Sequence, residues 1–140
     1  MTPNRRLRQL HDLGQSLWLD NISRELLDSG MLRHYIDDFS ITGLTSNPSI
    51  FDAAIGTGKD YDTAILEQVR TGHSGEAIFM ELALQDLRRA ADPFRPSFDS
   101  SHRIDGWVSM EVSPLLAHDA VASSEALRGS TNRPIGRTCS

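Results

Sequence analysis

The chain has 140 residues, 39% hydrophobic and 24% charged, which is the size of one domain and enough apolar material to bury a core, so it is not a disordered polymer. A net charge of -5, from 14 basic and 19 acidic residues, weighs against a general nucleic-acid binder, and Arg5, Arg6 and Arg8 read as a solvated polar arm. The single cysteine, Cys139, allows no intrachain disulfide; there is no apolar run near the roughly 18 residues of a membrane span and no apolar signal core behind the Arg-rich N-terminus, so a cytoplasmic setting away from membranes is expected.

Leu7, Leu10 and Leu13 are spaced by three and predict a leading amphipathic helix over 3–13, ended by Gly14. Leu17, Trp18 and Leu19 form a short apolar run that stops at Asp20 and Asn21, as a buried strand of a parallel sheet does. Over 23–38 the apolar residues have helical spacing interrupted by Asp28-Ser29-Gly30, which predicts two short helices with a turn. Ile41 to Leu44 or Thr45 alternates as a second strand. Asn47 is a natural N-cap and Pro48 suits the first turn of the next helix. Tyr61, Ala64, Ile65 and Val69 mark another helix. Ser74 caps a longer one with Ile78, Phe79, Leu82, Ala83, Leu87 and Ala90 on one face, and Pro93 and Pro96 are expected to bracket its end. Trp107, Val108, Met110 and Val112 around Glu111 read as a third strand, and a helix is expected from about His118 to Leu127. Residues 128–140 have no periodicity and read as a polar tail. A leading helix followed by three strand–helix repeats predicts a parallel α/β architecture with right-handed crossovers.

Each predicted strand ends in polar chemistry, where parallel barrels place their catalytic groups. The first ends at Asp20, the second at Thr45, Ser46 and Asn47, and the third carries Glu111 inside an apolar run. Asp20 and Asn21 serve equally well as helix caps, as does Asn47. Glu111 is harder to assign to structure alone, because a strand covered on both faces leaves an acid little solvent to reach. Other signals are weaker. Gly56-Thr57-Gly58-Lys59 lacks the flanking residues of a phosphate loop, having Ala53 and Asp60 where glycine and Ser or Thr are needed. The five histidines have no metal-ligand spacing, and Ser49 has no nucleophile-elbow context.

Three segments, "SLWLDNISRELLDSG", "ITGLTSNPSIF" and "DGWVSMEVSPLLAHD", closely resemble transaldolases of the bacterial type that carry "WLDNISR". The resemblance runs from about Gly14 to Ala126 with the motifs in the family's order. It implies the N-terminal portion of a (β/α)8 TIM barrel, about three βα units plus a leading helix, spanning 1–127. It also implies Schiff-base transfer of a dihydroxyacetone unit between sugar phosphates, with no metal or organic cofactor. Matched by motif, Asp20 is the strand-1 carboxylate of proton transfer, Asn47 binds the three-carbon unit, Thr45 positions the catalytic water, and Glu111 relays protons through that water. The wider family includes fructose 6-phosphate aldolases, with the same barrel and Schiff-base logic, which "LTSNPSIF" and "SMEVSP" alone do not separate.

The family's nucleophilic lysine belongs to a fourth strand with a motif like Ile-Lys-Ile-Pro-Ala-Thr, which this sequence lacks. After Arg133 and Pro134 it reads "IGRTCS". Thirteen of the 14 basic residues are arginine, and the lone lysine, Lys59, falls in a Gly-rich linker between predicted helices. A full barrel takes about 250 residues. The expectation is therefore a truncated or frameshifted N-terminal piece, inactive alone, that binds sugar phosphate without catalysis or joins another chain through an exposed barrel edge.

Overall fold

A computed structural model describes residues 4–111. In chain order it contains α1 (Arg5–Asp12), β1 (Leu17–Asp20), α2 (Arg24–Asp28), α3 (Met31–Phe39), β2 (Ile41–Ser46), α4 (Pro48–Thr57), a 3-10 turn (Lys59–Tyr61), α5 (Asp62–Arg70), α6 (Gly75–Ser100) and β3 (Trp107–Met110). The expected helix at 118–127 and the tail at 128–140 lie outside the described residues.

Local sequence explains most boundaries. Asn4, Ser23, Asn47 and Ser74 cap α1, α2, α4 and α6, each accepting a backbone N–H of the first turn. Gly30 turns the chain between α2 and α3 at φ 78, a left-handed conformation that a side chain disfavours. The expected division of 23–38 into two helices is therefore met.

The strands form one parallel sheet in the order β1-β2-β3, so the α/β expectation with successive parallel strands holds for the described residues. One side of the sheet is closed. Leu44 is fully buried and packs with Ile22, Leu26, Leu32, Phe51, Ala83, Ala90 and Phe94, with Leu19, Val108 and Met110 against the same cluster. At about 1.5–3 kcal/mol per large buried side chain, this layer is the main source of stability. A second, smaller cluster of Tyr61, Ile78 and Leu82 joins α6 to the 3-10 turn.

Three expectations change. Helix α6 does not end at Pro93 and Pro96 but runs through both to Ser100. An interior proline costs about 3 kcal/mol, yet ending the helix there would forfeit the burial of Phe94 and Phe98, which lie on the same stripe as Ala90. Tertiary packing overrides local propensity. Strand β2 is also longer than the alternation suggests, because Thr45 pairs with both Asp20 and Ser109, Ser46 still pairs with Met110 of β3, and only Asn47 leaves the ladder. Finally, β3 stops at Met110, and Glu111 is exposed one residue beyond it, although its N–H still reaches the Ser46 carbonyl at 2.8 Å. The strand is covered on its helix side only, among the described residues, so this acid does reach solvent.

Candidate functional site

Residues in register on neighbouring parallel strands point to the same face. Asp20 of β1 aligns with Thr45 of β2, and Thr45 aligns with Ser109 of β3. The three form a polar rung on the face opposite the Leu19–Leu44–Val108 row. Ser109 Oγ donates to Thr45 Oγ1 at 3.3 Å. Asn47 and Glu111 lie two residues beyond Thr45 and Ser109, so alternation carries the same face onward past the strand ends. All four residues singled out from sequence, Asp20, Thr45, Asn47 and Glu111, thus belong to one end of one face. Asp20 and Glu111 are exposed, and Thr45 and Asn47 half-buried.

Asn47 does cap α4. Its Oδ1 accepts the Ile50 N–H at 3.0 Å. A cap uses only the carbonyl oxygen, so the amide N–H groups keep their capacity to donate. The capping and binding readings of this residue are compatible.

Lys59 does not approach this face from a strand. It is exposed in the 3-10 turn, which packs among α2, α4 and α5 in the helical layer. Ser46, next to Asn47, turns the other way. Its Oγ is buried on the helix side and has no hydrogen-bond partner among the described residues. No group of three or more His, Cys, Asp or Glu suited to a metal occurs among the described residues. A hollow lined by Ala91, Arg95, Phe98, Gly106 and Val108 lies on the helix side of β3, away from the polar rung.

Two buried polar knots escaped the sequence reading. In the first, Asp86 of α6 is fully buried. Tyr61 donates its hydroxyl proton to Asp86 Oδ2 at 2.7 Å, and Arg24 Nε donates to Oδ1 at 3.2 Å. The same guanidinium donates to the Asp60 carbonyl at 2.9 Å and to Gln85 Oε1 at 3.3 Å, and stacks over the Tyr61 ring at 4.5 Å. Burial, and then the hydrogen bond to Asp86, push the Tyr61 hydroxyl above its ordinary pKa. The knot fixes the start of α2, four residues after Asp20. Its sequence signal was Asp86 itself, an acid between Leu82 and Ala90 on the buried stripe of α6.

The second knot is at the opposite end of the strands. Asp105 is buried just before β3, accepting from Ser16 Oγ at 2.5 Å and meeting His11 Nε2 at 3.0 Å. Burial opposes its ionisation, but hydrogen bonds from Ser16, His11 and Thr42 outweigh that and hold the carboxyl below its ordinary pKa. Helix α1 buries no residue, so this knot is its main tie to the sheet.

A model of the "Transaldolase/Fructose-6-phosphate aldolase" family matches residues 17–128. Among curated proteins, the chain is 40% identical over 122 residues to "Transaldolase 2" of a Nostoc species, covering 87% of this chain and 32% of that protein. It is 42% identical over 137 residues to the transaldolase of Saccharopolyspora erythraea, covering 96% of this chain and 37% of that one. For "Transaldolase 1" of Streptomyces coelicolor the identity is 41% over 117 residues, covering 84% and 31%. The chain spans about a third of the length of these relatives.

Proposed function

Since the chain belongs to the transaldolase/fructose-6-phosphate aldolase family, we propose that its polar face is one side of a site that moves a three-carbon dihydroxyacetone unit between sugar phosphates. The donors are sedoheptulose 7-phosphate and fructose 6-phosphate, and the acceptors glyceraldehyde 3-phosphate and erythrose 4-phosphate, within the cytoplasmic non-oxidative pentose phosphate pathway. The sheet, with α1 leading it, is in this reading the N-terminal portion of a (β/α)8 barrel over 1–127. The observation that carries the proposal is the shared face, with Asp20 and Thr45 in register and Asn47 and Glu111 continuing the same alternation.

Each role follows from chemistry. An amine adds to the donor's ketone, and loss of water from the adduct needs a positioned acid–base group. Glu111 relays that proton through a water held by Thr45. Asp20 then takes the proton of the donor hydroxyl beside the carbon–carbon bond that breaks, releasing the aldehyde. Asn47 holds the three-carbon unit by its amide N–H groups. No metal or organic cofactor enters the scheme. The amine is the part these residues do not supply from the sheet, because the single lysine of the sequence is in the outer helical layer. The 140 residues alone therefore bind sugar phosphate without cleaving it.

A second reading, a half-barrel that assembles with another chain, is favoured by one observation. Among the described residues, strands β1 and β3 each have a single neighbour in the sheet, which leaves a hydrogen-bonding edge on either side. Borohydride reduction in the presence of fructose 6-phosphate, followed by mass spectrometry, tests both. The expected result is no adduct on the chain alone and an adduct on the partner polypeptide when the rest of the barrel is supplied. Efficient donor cleavage by the 140 residues alone would overturn the proposal.

A further inference from the structure

We propose that Trp18 is a specificity-determining contact of this site, its indole forming an apolar plate against which the carbon chain of a ketose phosphate rests. The inference deepens the sugar-phosphate reading and rests on it. A register shift in β1 between Leu17 and Trp18 brings Trp18 beside Gly43 of β2, one rung below Asp20 and Thr45 on the same face. The indole occupies the space where any larger residue at 43 would put its side chain. Its Cε2, Cδ2 and Nε1 stand 2.5, 2.7 and 2.9 Å from the place a Cβ would take. Gly43 is thus the seat on which the ring is laid. The ring is nevertheless 42% exposed, which is a large apolar surface left open beside a polar rung. The chain's other tryptophan is used differently. Trp107 stands edge-to-face on Phe98 at 5.2 Å and donates its N–H to the Arg103 carbonyl at 3.1 Å.

The spacing puts the ring within reach of a ligand several carbon atoms long. Side chains two apart on one strand face are about 6.6 Å apart, and carbon atoms touch at about 3.5–4.0 Å. A ligand fixed by hydrogen bonds at the Asp20–Thr45 rung therefore reaches the plane of the ring. Small-molecule sites commonly combine aromatic lining with a few convergent polar groups, and an aromatic plate reads the length and apolar side of a carbon chain, not its charge.

The experiment uses the full chain with Trp107→Phe, which leaves Trp18 as the one tryptophan. Fructose 6-phosphate is titrated in while tryptophan emission and binding heat are followed in parallel. The expected result is a saturable change in Trp18 emission with the midpoint given by calorimetry. Trp18→Leu should weaken fructose 6-phosphate about tenfold and leave inorganic phosphate unchanged. Binding heat with unmoved Trp18 emission overturns the plate and leaves the proposed function standing. Neither heat nor emission change overturns both. The emission arm needs no substitution at position 18, so a misfolded Trp18→Leu variant does not remove the test.

Discussion

The two faces of the sheet are built on opposite principles. On the helix side, apolar residues from β1, β2 and β3 meet a continuous buried cluster, and Asp86, the one fully buried acid among the described residues, has partners on both oxygens. On the other side, Asp20, Ser109, Glu111 and Trp18 are exposed. Buried apolar packing is concentrated on the first face and exposed polar side chains on the second. The contrast teaches that a substitution's effect depends less on its polarity than on the face it belongs to.

The sharpest way to break this comparison is Asp86→Ala. It strands the Arg24 guanidinium and the Tyr61 hydroxyl in a buried place, and a loss of about 3–5 kcal/mol is expected in urea unfolding. The same knot predicts an alkaline limit. The folded-state pKa of Tyr61 is raised by burial and by Asp86, so the folded chain keeps a proton that the unfolded chain releases above about pH 10. This contribution is complete below that pH and declines as pH rises beyond it. Tyr61→Phe should remove that part of the slope in a stability–pH profile.

Next in size is Asp105→Asn, expected to cost about 1–2 kcal/mol. That is the low end for charged hydrogen bonds, because His11 is part-exposed. The lowered pKa of Asp105 makes its contribution present above the ordinary carboxylate range and lost as pH falls through the folded value. Amide exchange should show α1 loosening first. Asn47→Ala should cost about 1 kcal/mol as a lost cap, whereas Asn47→Ser keeps a capping oxygen and should leave the urea midpoint nearly unchanged. If Asn47 also binds the three-carbon unit, the serine variant still loses sugar-phosphate binding by calorimetry. The smallest stability effects belong to Asp20→Asn and Glu111→Gln, whose midpoints should match the parent. A large destabilisation from either would mean that the polar face is structural.

Much of this was legible in the sequence. Asp20 and Asn47 were readable because strand ends and helix starts leave local signatures, and Gly30 and Pro48 act within a few residues of themselves, although the cap of α2 falls on Ser23 and not on Asp20 or Asn21. The Arg24–Tyr61–Asp86 knot was not, because its members are separated by 37 and 62 residues and none is unusual in its own window except Asp86. The prolines of α6 misled for the converse reason. Their local signal is strong, but the burial of Phe94 and Phe98 is decided by the sheet. Glu111 was placed inside a strand because its apolar neighbours continue past the ladder, and sequence does not say where pairing stops.

The polar rung on β2 has one more implication. Parallel strands are about 4.8 Å apart, and same-face residues recur about every 6.6 Å along each. Asp20, Thr45, Ser109, Asn47 and Glu111 therefore occupy the nodes of a lattice whose cell the backbone, not the side chains, dictates. Substitution can change the chemistry at a node, but it cannot move the node by a fraction of a cell. The only available displacement is a slip of register, and a one-residue slip would turn the strand's polar groups into the core and its apolar groups out to water.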